Sequence, residues 1–238
     1  MSMTDTMTAP TPTTDDALST LTRRVDRLEA ELAVRRLQHS YGYYLDKCLY
    51  QEVADLFSDD AEAIFCGGVY RGRAGINRLY LDRFRARFTQ GHNGPVFGFL
   101  LDHPQLQDVI SVNSDATEAN GRFRCIMQAG VHASAREQFA GRTTHDQWWE
   151  GALYENTYVR ENGVWKIKRL DYQPFWHAEY AKGWAQTEPM NAVIPIETYP
   201  VDPVGPDEIR PFALFPNTVV VDFHYAHPVT GKAWTESE

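Results

Sequence analysis

His39, Tyr43, Asp46 and Tyr50 stand four, three and four residues apart, so in a helix they share one face. An imidazole, a carboxylate and two phenols are groups that move protons in general acid–base chemistry. A helix that packs on a sheet presents apolar residues to it, so a polar stripe faces solvent, a neighbouring subunit or a pocket. In the pocket reading Asp46 and Tyr43 point inward. His103 lies among Phe97, Phe99, Leu100 and Leu101. In a strand it shares a face with Gln105 and Gln107, opposite Asp102 and Leu106. Histidine is the residue type that gives and takes protons near neutrality.

Glu155 belongs to a long strand with Leu153 and Thr157 on its face and Tyr154, Asn156 and Tyr158 on the other. In an aromatic pocket its carboxyl would hold its proton more tightly and act as acid or base. The alternative is a cross-strand pair with Arg or Lys. Arg122 and Arg124 flank Phe123, and an inward Arg124 would steady a phenolate or developing oxyanion. Lys47 is expected to be exposed, and His132, His145, His224 and His227 to be peripheral. There is no HxH, HxxE or HExxH pattern, no phosphate loop and no G-x-S-x-G elbow. Cys48, Cys66 and Cys125 form no CxxC pair. No metal and no cofactor are expected.

The elements that must position these groups can be read from periodicity. Leu18, Leu21, Val25, Leu28 and Leu32 recur at three- and four-residue steps, predicting an amphipathic helix from about 16 to 38 that packs on its own domain or on a partner subunit. It continues through 39–51 with a bend at Gly42. A short helix over 50–57 follows, then two short strands around a Gly67-Gly68 turn and a helix over 74–88. Long strands are predicted over 99–112, 119–129, 148–160 and 164–172, with a loop or flap at 130–147. Asn162-Gly163 supplies the positive φ angles of a tight hairpin. From 173 onward the chain is rich in proline and aromatics, which excludes regular helix and central strand. An extended arm is expected there, with one strand at 218–224 and His177 available to a lid.

This order of motifs resembles a known family. It runs from Tyr43-Tyr44-Leu45-Asp46 to Leu56-Phe57-Ser58-Asp59-Asp60, then Gly68-Val69-Tyr70-Arg71-Gly72, Asp102-His103-Pro104-Gln105-Leu106 and the hairpin 154–167. The chain resembles the SnoaL-like branch of the NTF2-like superfamily over about residues 20–172. The resemblance implies an α+β cone, with N-terminal helices packed on a strongly curved, mostly antiparallel sheet and an extended C-terminal arm. The implied organisation is a disordered tail at 1–15, the domain at 16–172 and the arm at 173–238. In scytalone dehydratase-like members an aspartate at this place lines the pocket, and Asp46 matches it. The tyrosine before that aspartate is replaced by Leu45, so a tyrosine role moves to Tyr43 or Tyr44. His103 matches the family's pocket histidine. The second histidine of the dehydratases has no counterpart, since Arg122-Phe123-Arg124 occupies its place. The long first helix, Asp-His-Pro-Gln and the aromatic run from Trp176-His177 to Trp184 look most like the cofactor-independent lyases that release formaldehyde from lignin-derived diarylpropanes.

Composition narrows the rest. The 238 residues carry a net charge of −9 with 43% hydrophobic and 13% aromatic residues. That is a globular composition long enough for a real core. Without a basic run, nucleic acid is not an expected partner. No apolar stretch approaches a membrane span and no secretory leader is evident, so a reduced, cytoplasmic setting is expected. The expected partners are a small aromatic substrate and further copies of the chain, as a dimer or trimer.

The resulting expectation is a lyase that expels formaldehyde from a diarylpropane diol, leaving a stilbene by way of a quinone methide. His103 or Tyr43 would be the acid, Asp46 or Glu155 the base, and Arg124 the phenolate partner. Tyr44, Phe65, Phe99, Gln105, Trp149 and His177 would line the substrate. The alternatives are a dehydratase or isomerase/cyclase of a polycyclic or steroid-like compound, and a non-catalytic binding protein.

Overall fold

The computed structural model describes residues 13–189 and 194–235. The expected tail at 1–15 lies almost wholly outside them. The first helix, α1 (Thr14–Asp46), is one 33-residue element. Thr13 caps it: its hydroxyl accepts from the Asp16 N–H at 3.2 Å while the Asp16 carboxylate accepts from the Thr13 N–H at 3.1 Å, a reciprocal capping box. No bend occurs at Gly42. A Cβ there would sit 2.9 Å from Cγ of Gln105, so glycine serves the close approach of helix and strand rather than a kink.

The C-terminal part of α1 packs on the sheet through Ala30, Val34, Gln38, Tyr41 and Leu45. Burying a large apolar side chain there contributes about 1.5–3 kcal/mol. Arg35 adds a tie, donating to Asp108 at 2.5 Å and to Glu31 at 2.8 Å. The predicted stripe of Leu18, Leu21, Val25, Leu28 and Leu32 is exposed along its whole length.

After α2 (Tyr50–Asp55) come β1 (Phe57–Phe65) and β2 (Gly68–Arg71). Their turn is Cys66-Gly67, both at positive φ (47° and 78°), rather than Gly67-Gly68. The next helical run joins α3 (Gly72–Asn77), a π-helical stretch (Arg78–Phe84) and α4 (Arg85–Thr89). The expected strand over 99–112 is split into β3 (Phe99–Asp102) and β4 (Gln105–Val112). Both pair with β5 (Glu118–Val131), and the break falls at His103-Pro104, where proline has no N–H for a ladder. A 3₁₀ turn (Ala133–Phe139) occupies part of the expected loop.

β6 (Gln147–Glu161) and β7 (Val164–Glu179) form the central hairpin around Asn162-Gly163, both at positive φ. The sheet runs β3-β5-β6-β7-β1-β2-β8, with β1 parallel to β7 and the other pairs antiparallel. It is curled, unclosed and wrapped on the helices, which is the α+β cone expected from the sequence. Its inner face buries Phe123, Cys125 and Met127 of β5 and Ala152, Tyr154 and Tyr158 of β6.

β7 is longer than expected, running seven residues past Tyr172. Proline is admitted because the strand is irregular there: Pro174 pairs with Ala152 and Trp176 with Gly151, leaving Phe175 as an extra residue. The arm begins later and lies on its own domain. β8 (Glu208–Ile209) pairs with β2, the Phe215 N–H donates to the Phe175 carbonyl at 2.7 Å, and no strand forms at 218–224.

Candidate active site

The inner face of the sheet and the helices enclose a cavity. Its non-atom volume is about 730 Å³, a figure that includes open solvent at its mouth. Most of the wall is aromatic, including Tyr41, Phe65, Phe84, Trp148, Tyr154 and Tyr172. Its polar groups gather in two places.

One lies at the strand break. Because Pro104 interrupts the strand, the His103 N–H leaves the sheet and donates to Oδ1 of Asp46 at 2.6 Å. His103 Nδ1 lies 3.2 Å from the same oxygen. Asp46 is the last residue of α1, so one carboxylate fixes both the backbone and the ring of His103, which is 8% exposed and lines the cavity. The Asp–His pair leaves Nε2 as the nitrogen offered to a substrate.

A buried amide chain supports the break from behind. Gln105 Nε2 donates to the His103 carbonyl (3.0 Å), and Gln105 Oε1 accepts from Gln38 (2.9 Å). Oε1 of Gln38 accepts in turn from Tyr158 (2.8 Å) and Asn156 (2.9 Å).

The second polar group was not anticipated. Glu150 of β6 is 3% exposed and faces the cavity. Tyr172 donates to it at 2.9 Å, and His177 Nε2 lies 3.9 Å from its other oxygen. The signal was present in β6, since Glu150 has the strand parity of Tyr154 and Tyr158. His177 was expected as a lid residue lining the substrate, and it lines the cavity from β7. Its odd number puts it outward with Gln173 in a regular strand, and only the extra residue Phe175 returns it to the face of Glu150.

Burial holds the phenols of Tyr41, Tyr80, Tyr154 and Tyr172 well above their ordinary value, so they stand protonated as donors in the cavity region. Tyr41 and Tyr80 share a hydrogen bond of 3.0 Å.

His177 is pushed down to about 4, first by burial and then by the charge of His145, whose ring stacks on it at 5.5 Å. It is neutral at pH 7, and its Nδ1 has no hydrogen-bond partner. In the unfolded chain it titrates near 6.5, so the folded state binds fewer protons between those values. Folding stability is therefore retained above pH 6.5 and lost as the pH falls towards 4. We expect a His177→Phe variant to lose about 2 kcal/mol less than the native chain between pH 7 and pH 4.5, measured by urea unfolding at each pH.

The remaining candidates lie elsewhere. Tyr43 is 75% exposed and Tyr44 is exposed too; Tyr43 borders a second groove, lined also by His39, Asp46, His103 and Gln105. The helix turns Tyr41 and Leu45 inward instead. Arg122 and Arg124 both take the outer face of β5. Arg124 stacks over Phe175 at 4.4 Å, while Arg122 pairs with Glu155 and lies over Phe223 at 4.1 Å. Glu155 is on the outer face of β6 and also accepts from His224 of the arm, so it is the cross-strand partner of an arginine. Trp149 is outward as well, in a cluster with Trp176, Tyr180 and Trp184. Phe99 packs between Phe88 and Phe139, and Phe65 lines the cavity stacked on Tyr172. Among the described residues, none after Glu179 lines the cavity. Arg142, from the loop after the 3₁₀ turn, is the cationic side chain in it.

Among the described residues no group of three or more His, Cys, Asp or Glu could hold a metal ion. No described helix is long and apolar enough to cross a membrane. All three cysteines are buried and free.

Comparison with known proteins bears on this geometry. The SnoaL-like domain profile matches residues 26–171. No curated protein sequence matches significantly. Among solved structures, the chain is similar to a protein of Novosphingobium aromaticivorans provisionally named a scytalone dehydratase, with 20% identity and a TM-score of 0.52 over 73% of this chain and 99% of that one. It is also similar to a hexachlorocyclohexane dehydrochlorinase, LinA-type3, of Novosphingobium barchaimii, with 22% identity and a TM-score of 0.51 over 65% of this chain and 92% of that one. At these identities the likeness is one of fold.

Proposed function

The chain belongs to the SnoaL-like domain family, and from that premise we propose that it is a cofactor-independent lyase that performs acid–base elimination on a hydroxylated aromatic compound. The observation that carries the reading is His103 at the wall of an aromatic cavity, its backbone and ring both held by Asp46. The names of the two structural neighbours, a dehydratase and a dehydrochlorinase, both denote eliminations. An elimination needs a base for the departing proton, a donor for the departing oxygen and a place for transient charge. His103, oriented by Asp46, has the first capacity, and the protonated phenols and Arg142 have the others.

The substrate we favour is a diarylpropane diol with a para-hydroxyphenyl ring. A cavity donor protonates the benzylic hydroxyl, which leaves as water. Meanwhile the phenol O–H lends its proton to a cavity base, which returns it in the last step, and the ring becomes a quinone methide. A base then takes the proton of the neighbouring CH₂OH, the C–C bond breaks and formaldehyde departs. That bonding pair becomes the stilbene double bond and restores the phenol. The diol is thus converted to stilbene, formaldehyde and water with no change in overall oxidation state. Tyr43, Arg124 and Glu155 have no part in this scheme.

Incubation of metal-stripped protein with the diol is expected to yield formaldehyde and stilbene in equal amounts. Water loss without formaldehyde would replace this reading with a plain dehydratase, and a product of unchanged mass would replace it with an isomerase.

A further inference from the structure

We infer that two copies of this chain associate through the exposed half of α1, as a parallel, in-register helical pair. Leu18, Leu21, Val25, Leu28 and Leu32 follow a three–four repeat that puts them at alternating a and d positions of a heptad seam. They span about 21 Å at 1.5 Å per residue. Leu21 is 55% and Leu28 61% exposed. At 100° per residue this stripe lies about 150° around the helix from the face holding Ala30, Val34, Gln38 and Tyr41. The chain's own sheet covers that second face, so it cannot also cover the stripe.

The projecting turns give a second reason. Residues 14–29 of α1 are exposed on every side. A helix of that length is marginal in water by itself, and most helical stability comes from packing an apolar face.

Charge selects the occupant. In a parallel pair, each g residue faces the e residue of the next heptad on the other helix. Here Arg24 at g meets Glu29 at e of the second copy, and Glu31 at g meets Arg36 at e. Opposite signs meet at both levels, and the two-fold axis repeats each pair. An antiparallel pairing that kept all five stripe residues in the seam would set Leu18 against the Arg35 level and bring that guanidinium into it. Arg35 is already committed to Asp108 and Glu31 of its own chain, which ends the apolar stripe at Leu32. Leucine at d with a valine among the a residues is compatible with two strands.

The full chain is expected to sediment as a concentration-dependent dimer. Leu21→Lys combined with Leu28→Lys removes apolar groups that are more than half exposed in the monomer. It should weaken association by at least about 100-fold while near-ultraviolet dichroism of the cone is unchanged. Arg24→Glu alone places like charges opposite and should weaken the dimer roughly 2- to 10-fold. Adding Glu29→Arg should restore it. A native chain that stays monomeric, or a dimer indifferent to the leucine pair, overturns the inference. Failure of the double charge reversal to restore association overturns the parallel register, and a trimer dependent on the same leucines overturns the two-stranded form.

Discussion

His103→Gln is expected to lower kcat by about 10²- to 10⁴-fold, the usual contribution of a positioned acid–base group, with little change in the melting temperature. Glutamine can keep a polar atom near Asp46, but it has no nitrogen that takes up a proton at neutral pH. The companion variant Asp46→Asn separates two contributions. Its amide oxygen can still accept the His103 N–H that Asp46 holds at 2.6 Å, so the strand break keeps its anchor. What it loses is the negative charge beside a ring that becomes cationic when it accepts a proton. A fall in kcat with KM near its native value would assign that charge to the transition state, where it acts most strongly. Asp46→Ala removes charge and anchor together and should also lower stability. Native kcat in both His103→Gln and Asp46→Asn would remove this pair from the chemistry and leave the cavity as a binding site.

The sequence made one wall of this site legible and hid the other. Asp46 and His103 are legible because Asp46 shares a helical stripe with other proton-moving groups and matches the family's aspartate, and because His103 is polar among apolar neighbours. The strand break at Pro104 was not expected. Tyr43 had the same helical spacing as Asp46 and lies outside. Spacing specifies which residues share a stripe; which edge of the stripe meets the sheet is decided by packing, and Tyr41 and Leu45 won that place. Strand parity was read well for β6, where Glu155 was put opposite Tyr154 and Tyr158. The side assigned to the interior was the uncertain step, and Arg122 directly across the ladder marks the outer face. In β7 two extra residues, Lys168 and Phe175, each reverse the parity, so a plain count from Val164 puts Ile167 and His177 inside but misplaces Leu170 and Tyr172 between them. The arm could be predicted as extended but not located, because its anchors are individual contacts such as Arg122 donating to the Val221 carbonyl at 2.9 Å.

Glu150→Gln is the test that most sharply separates catalysis from architecture, and we expect it to lower kcat by about 10²- to 10⁴-fold without lowering stability. Glu150 is 3% exposed, accepts from Tyr172 and lies beside His177. Glutamine has the same shape, and its amide oxygen can still accept from Tyr172. If the group were there only to satisfy that phenol, the amide would serve as well, at less desolvation cost, and turnover would persist. A thermal midpoint equal to or above the native value, together with lost turnover, would mean that the charge is kept for the reaction. Tyr172→Phe supplies the control. It leaves the carboxylate in place but removes its 2.9 Å donor, so it should destabilise the fold by about 1–3 kcal/mol. Unchanged turnover in Glu150→Gln would therefore reduce Glu150 to a buried hydrogen-bond acceptor.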